Sequence, residues 1–325
     1  MRPGLDVALR HATAIIFVCV LLYFAVQAPG FLAMENLGNI VKQSAFIGIA
    51  AIGITFVLLT AGIDLSVGSV MYLAPLIAGI VMRDLGLGVP AGLIVCVAAG
   101  ALLGAINAVF IVRLNIVPFI VTLATLFAFR GFGAFLTSSR QFDFPPAMRE
   151  FGQASVFGVP NPILFFGGLA LIAHFVLTRT TFGRQIYAVG NDAEAARKAG
   201  VPVAALRARV YVISGACAGL SGFVLISQIG RLDAGFGEGR EFDVIAAAVL
   251  GGASLFGGVG SAFGAVAGAT LIQTVKTGLV FTGVNLYLQP IVQAAIIFLA
   301  VLVDSLREHR LRRLKRRVIR PATDA

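Results

Sequence analysis

Residues 44–61 read Ser44-Ala45-Phe46-Ile47-Gly48-Ile49-Ala50-Ala51-Ile52-Gly53-Ile54-Thr55-Phe56-Val57-Leu58-Leu59-Thr60-Ala61, without one charged side chain. As a helix this stretch is about 27 Å long at ~1.5 Å per residue, close to the ~30 Å hydrocarbon thickness of a bilayer. Nine further apolar runs follow the same rule, near 12–28, 65–82, 89–112, 117–136, 162–178, 205–228, 244–260, 263–283 and 288–304. Of the 325 residues, 58% are hydrophobic and 12% charged, about half the charged share of a soluble domain. That balance excludes a soluble enzyme and a nucleic-acid-binding domain, which need charge to cover their surface. It also excludes a disordered chain, because there is ample apolar surface to bury. The expected fold class is all-α: a polytopic membrane protein with about ten transmembrane helices, forming one transmembrane domain over residues 1–325.

The +10 net charge gives the orientation. With the N-terminus inside and one crossing per run, the cytoplasmic pieces hold Arg2, Arg10, Arg113, six basic residues between Arg179 and Arg209, and eight from Arg307 to Arg320, seventeen of the 25. External pieces hold Lys42, Arg83, Arg140, Arg149, Arg231 and Arg240; Arg130 and Lys276 lie inside runs. Such a bias marks the cytoplasmic side, so both termini are expected inside, the chain ending in a basic cytoplasmic tail over 305–325. Eight crossings also satisfy the bias if two runs are re-entrant. The run from Ala12 to Val26 ends at Gln27-Ala28-Pro29, a poor cleavage site, and reads as an uncleaved first helix rather than a signal peptide. Residues 31–43 are amphipathic and are expected at the interface or in a short external helix. Cys19, Cys96 and Cys217 all lie in apolar runs without C-x-x-C spacing and read as core residues, not a metal site.

Two segments interrupt the apolar pattern in parallel. Ala61-Gly62-Ile63-Asp64-Leu65-Ser66-Val67-Gly68 is echoed by Gly251-Gly252-Ala253-Ser254-Leu255-Phe256-Gly257-Gly258. Paired interruptions point to broken helices beside a substrate path in transporters; chance similarity in a Gly-rich chain is the other reading. Two loops stand out, Thr137–Asn161 outside and Arg179–Arg209 inside. Loops held on a rigid scaffold often carry function, although the external one reads equally well as a connector.

The energy source is the next question. No G-x-x-x-x-G-K-[ST] occurs, so this chain cannot cradle nucleotide phosphates in a P-loop. Among intramembrane carboxylates only Asp64 suits ion coupling, which leaves little for a proton- or sodium-driven carrier. Lys276 is expected to snorkel to the external surface, a functional buried charge being the alternative. Residues 190–202, Gly190 to Pro202, read as one short cytoplasmic helix. Asn191 is expected to cap it with Glu194 as the capping-box partner, Arg197 and Lys198 fall in the last turn, and Gly200 and Pro202 stop it. It suits either insertion into a partner's groove or a place as a solvated loop helix.

Four stretches then carry a resemblance. They are Thr60-Ala61-Gly62-Ile63-Asp64-Leu65-Ser66-Val67-Gly68-Ser69; Leu114-Asn115-Ile116-Val117-Pro118-Phe119-Ile120-Val121-Thr122-Leu123 followed by Arg130-Gly131; Thr181-Phe182-Gly183-Arg184 with Ala188-Val189-Gly190-Asn191 and Ala195-Ala196-Arg197-Lys198-Ala199-Gly200; and Ala246-Ala247-Ala248-Val249-Leu250-Gly251-Gly252-Ala253-Ser254-Leu255 followed by Gly257-Gly258-Val259-Gly260-Ser261. In order and spacing the chain resembles the permease subunit of bacterial ABC importers for monosaccharides of the ribose/xylose/arabinose type. The family often has Thr-Gly-Gly-Ile-Asp where Ala61 stands here, and small amides are common at the position of Lys276.

The resemblance implies a multi-pass protein of the bacterial cytoplasmic membrane. Its partners would be an ABC ATPase subunit, a periplasmic sugar-binding protein, a second permease chain (identical or a paralogue) and membrane lipid, with no nucleic acid and no cofactor. It also implies a coupling role toward the ATPase for Asn191, Asp192, Glu194, Ala195, Ala196, Arg197 and Gly200. The cargo would be a pentose or hexose, whose hydroxyls call for hydrogen-bonding groups and aromatic faces near helix breaks. Asp64, Ser66, Asn107, Asn115, Phe119, Thr122, Gln228 and Asn285 are the candidate path residues; for each, a link between neighbouring helices is the plainer reading, and Asp64 can instead cap the following helix. The alternatives are an ABC permease for a branched-chain amino acid or nucleoside, and an ion-coupled secondary carrier. A channel fits less well, since no ring of like charge is evident.

Overall fold

The computed structural model describes residues 12–292 together with 294, 295 and 298. The helices are α1 (Ala12–Gln27), α2 (Met34–Leu59), α3 (Val67–Leu85), α4 (Val89–Ala108, continued by a π-turn over Val109–Arg113), α5 (Pro118–Thr137), α6 (Pro146–Gln153), α7 (Asn161–Arg179), α8 (Thr181–Asn191), α9 (Ala193–Lys198), α10 (Val203–Ile229), α11 (Arg240–Leu250) and α12 (Ala262–Phe281). Seven of them, α2, α3, α4 with its π-turn, α5, α7, α10 and α12, are long and apolar enough to cross a membrane. The protein is all-α and polytopic. Its only strands among the described residues are two-residue pieces in connections: β1 (Phe142–Asp143) pairs antiparallel with β4 (Arg231–Leu232), and β2 (Ser155–Val156) with β3 (Val159–Pro160).

Three departures from the apolar runs have physical causes. Residues 34–43 form no separate helix; they extend α2, because nothing between Met34 and Ser44 stops a helix and its hydrogen bonds continue. The run 244–260 is not a span. It contains α11, 11 residues and about 16 Å long, and then a loop whose Gly252, Gly257 and Gly258 have φ of +90°, +91° and +73°. Those left-handed conformations cannot propagate an α-helix, however apolar the residues around them. Most of the run 288–304 and all of the tail 305–325 lie outside the described residues, as do Arg2 and Arg10.

Layering follows composition. In the apolar windows of α2 and α10, 83% and 78% of residues are buried, against 33% in α5 and in α7. The helices α2, α3 and α10 therefore make the centre. The outer helices turn Ile94, Leu102, Phe127, Phe135, Leu171 and Phe175 outward; such a surface would aggregate in water but is matched to lipid. Small residues set the central contact between α4 and α10. Gly100 and Gly104 face Gly215 and Gly219, and a Cβ at any of the four would strike backbone of the opposite helix. This is small-xxx-small packing on both partners, and it lets the Cys96 thiol reach the Gly219 carbonyl at 3.1 Å.

Candidate functional site

The break between α2 and α3 dips inward and buries Asp64, 1% exposed. Its Oδ1 accepts from the Ser66 amide at 3.0 Å and the Ser66 hydroxyl at 2.6 Å, while Oδ2 accepts from Ser214 of α10 at 2.8 Å. Ser66 Oγ accepts from Asn107 Nδ2 at 2.8 Å, and Asn107 Oδ1 accepts from Thr125 Oγ1 at 2.7 Å. The Tyr211 hydroxyl donates to the Ile63 carbonyl at 3.2 Å. The chain of bonds ties the break to α4, α5 and α10. A buried carboxylate is tolerable only when its oxygens are satisfied in this way; Asp64 holds the amide of Ser66, the N-cap residue of α3, but no side chain caps the helix's own first-turn amides.

Four of the eight candidate path residues thus gather at one place: Asp64, Ser66, Asn107 and Thr122, whose hydroxyl lies 3.5 Å from the Ile63 carbonyl. The side chains of the other four make no hydrogen bond to this cluster. Asn115 is an exposed turn residue with φ of +53°, and Phe119 is 48% exposed. Gln228 donates back to Val224 of its own helix at 3.3 Å, and Asn285 accepts from the Tyr287 amide at 2.9 Å.

The second break, after α11, meets the first. Gly258 N donates to the Leu59 carbonyl at 3.0 Å, so the echoed segments touch. Gly190, near the end of α8, seats its Cα against both the Leu59 carbonyl and Gly258 N, with no space for a Cβ. Tyr187 donates to the Gly260 carbonyl at 2.8 Å; partial burial pushes its phenol pKa above the usual value.

The polar connection between α7 and α10 differs from the single helix expected over 190–202. Two helices meet at Asp192, and Asp192, not Asn191, is the cap: its Oδ1 accepts from the amides of Glu194 and Ala195, both at 2.9 Å. Asn191 instead closes α8, because its backbone is helical and so cannot take the extended geometry of an N-cap. Glu194 pairs with Lys198 at 3.0 Å rather than reaching back as a capping-box partner. Ala196 is 6% exposed and packs inward, while Asn191, Asp192, Glu194, Ala195, Arg197 and Gly200 are exposed.

Lys276 does not snorkel. It pairs with Asp243 in the first turns of α11, where Arg240 also contacts the carboxylate at 3.4 Å. A buried carboxylate within reach holds the ammonium more firmly than a longer path to water. Lys276 also borders a cavity of about 570 Å³ whose polar wall includes Glu35, Asn36, Asn39, Gln43 and Gln273. At the same end of the bundle as that cavity, the Thr137–Asn161 connection folds over α10, and Phe144 N donates to the Gly230 carbonyl at 3.1 Å. Sequence reading noted Arg130 but missed Glu241 and Tyr72; buried polar side chains on α3 and at the start of α11 are legible only once their neighbours are known.

Comparison with known proteins agrees with this architecture. The family described as branched-chain amino acid transport system / permease component matches residues 36–301. The ribose import permease protein RbsC of Escherichia coli is 36% identical over 86% of this chain and 89% of its own length. The xylose transport system permease protein XylH of Escherichia coli is 33% identical over 90% and 91%, and its D-allose transport system permease protein AlsC is 35% identical over 91% and 92%. No solved structure matches the chain. The match runs through both helix breaks, the α8–α9 connection and α11, and the chain belongs to this family of multi-pass membrane permease components, which are transport subunits and not enzymes.

Proposed function

We propose that the chain is the membrane-spanning permease subunit of an ATP-binding-cassette importer that carries a monosaccharide, a pentose or hexose, across the bacterial cytoplasmic membrane. The observation that carries the proposal is the near full-length similarity to three permeases whose names give aldoses as cargo. A separate ATPase subunit supplies energy, a periplasmic sugar-binding protein delivers cargo, and a second permease chain completes the pore. The α8–α9 end faces the cytoplasm, with both chain termini. Ten crossings follow if α1, the run 288–304, and α11 with the segment 230–239 leading into it each count as one. The exposed residues Asn191, Asp192, Glu194, Ala195, Arg197 and Gly200 contact the ATPase, with Ala196 holding α9 against the bundle. Asp64, Ser66, Asn107 and Thr122 frame the substrate path where it passes the first helix break.

The complete importer in proteoliposomes should take up one of D-ribose, D-xylose or D-allose only with ATP inside and binding protein outside. Uptake of leucine instead would favour the amino-acid permease reading. Sugar uptake by this chain alone, driven by a proton or sodium gradient, would refute the importer.

A further inference from the structure

Among the described residues, four buried side-chain atoms lack a hydrogen-bond partner: Tyr72 Oη, Arg130 Nη2, Glu241 Oε2 and Gln289 Nε2. Gln289 borders the 570 Å³ cavity. The residues bearing the other three come together around the start of α11. Gly68 and Tyr72 are one turn apart on α3, and a Cβ at Gly68 would strike the Glu241 carboxylate. Arg130 and Gly133 are one turn apart on α5, and Gly133 lies against the Tyr72 ring. Arg130 Nη1 is 3.4 Å from the Phe236 carbonyl, in the segment leading into α11. Tyr72 is 0% and Glu241 5% exposed.

The cluster lies partway along the bundle, away from either end. Beside Glu241, the Arg240 guanidinium sits 5.3 Å from the centre of the Phe46 ring, and Phe46 is halfway along α2. α11 covers only about 16 Å between this point and the end of the bundle where Gly258 meets Leu59. The start of a half-helix at such a depth is where discontinuous helices of transporters hold their cargo. Unpaired buried donors and acceptors are costly and are normally satisfied by something.

We propose that Tyr72, Arg130 and Glu241 form a hydroxyl-binding subsite partway along the bundle, which the solute occupies in transit. The subsite rests on the sugar reading above and deepens it. A neutral polyhydroxylated solute fits the chemistry. The guanidinium offers donors to ring or hydroxyl oxygens, the carboxylate oxygen accepts from a hydroxyl, and the phenol does either. A zwitterionic amino acid could pair its ammonium with Glu241 and its carboxylate with Arg130, so the choice of a sugar rests on the similarity to sugar permeases, and leucine is kept as an arm of the test.

The test uses the complete importer in proteoliposomes with radiolabelled D-ribose, D-xylose and D-allose, and then the monodeoxy analogues of whichever sugar is transported. Glu241→Gln preserves shape and Tyr72→Phe preserves the ring against Gly133. Glu241→Gln should cut uptake by roughly 10- to 100-fold and Tyr72→Phe by about 3- to 10-fold, the range for charged and neutral hydrogen bonds. The Tyr72→Phe deficit should vanish for one monodeoxy analogue, the one lacking the hydroxyl that Tyr72 meets. If wild type carries sugar and both variants match it, the subsite is overturned. The same holds if the deficit is equal for every analogue, which would mark a water-filled or purely structural cluster. If wild type carries none of the three sugars but does carry leucine, the sugar reading falls and the subsite with it.

Discussion

Asp64 and Ser214 offer a direct measure of what the first helix break contributes to stability. Ser214→Ala removes one hydrogen bond to a charged acceptor, 2.8 Å long, and leaves Oδ2 unpartnered at a site 1% exposed. Such a loss costs about 1.5–3 kcal/mol. Asp64→Ala removes three accepted bonds and strands two hydroxyls in an apolar setting, which costs roughly 3–5 kcal/mol. In a chain of this size one kcal/mol moves the melting midpoint by about 2 °C, so the shifts should be near 3–6 °C and 6–10 °C. The double variant should melt close to Asp64→Ala alone, because the shared bond is lost only once; the coupling is then about 1.5–3 kcal/mol. Asp64→Asn should stay close to wild type, since its carbonyl can still accept from Ser66 and its amide can donate to Ser214 Oγ. The assay is the monodisperse fraction of detergent-solubilised protein against temperature. Additivity within about 0.5 kcal/mol, or an Asp64→Ala midpoint within a degree of wild type, would refute the reasoning.

Three further outcomes follow from the α8–α9 connection. Ala195→Trp should weaken ATPase co-purification without changing the melting midpoint, whereas Ala196→Trp, at a site 6% exposed, should lower the midpoint by overpacking, about 1–3 kcal/mol; equal effects of the two would contradict the assigned faces. Asp192→Ala should cost about 1 kcal/mol of local helix stability, read as roughly five-fold faster amide exchange at Glu194 and Ala195. Gly190→Ala should force α8 away from the Leu59 carbonyl and Gly258, lowering both midpoint and uptake, and an unchanged midpoint would show that the contact is not tight.

The apolar runs made most of the fold legible, because a spanning helix is a composition over about 20 residues and needs no knowledge of its neighbours. They failed where backbone geometry overrode composition. Residues 244–260 carry no charge and only one polar side chain, Ser254, yet left-handed glycines end α11 at Leu250, a break that the echoed Gly251–Gly258 segment announced but the count of apolar runs ignored. The path residues were chosen by polarity near a break, and that found the Asp64 cluster. It could not foresee that Ser66, Ser214, Asn107 and Thr125 would satisfy one another, which makes them a framework rather than an open surface. Lys276 was misplaced for the same reason: its partner Asp243 is 33 positions away, outside any local pattern. Asn191 and Asp192 are adjacent capping types, and only the extended backbone of Asp192, φ −160° and ψ 103°, decides between them.

The two breaks also explain how a short helix at one end could govern the interior of the bundle. Gly190 touches the Leu59 carbonyl and Gly258 N at once, and these are the last residue of α2 and a residue of the loop that follows α11. Beyond Leu59 the chain runs directly to Asp64. From Gly258, the chain leads back through α11 to Glu241. The contacts at Gly190 involve backbone, not flexible side-chain tips, so a displacement of α8 cannot be absorbed by rotamer changes and must move both breaks or neither. α11 is suited to respond, since it is short and flanked by glycines of positive φ at 239 and 252, and such residues take up rotation at hinges with little steric cost. On the importer reading, ATPase closure acting on α9 would therefore move the Asp64 framework and the Glu241 end of α11 together. Coupling carried by one such rigid junction depends on the absence of a single Cβ at position 190.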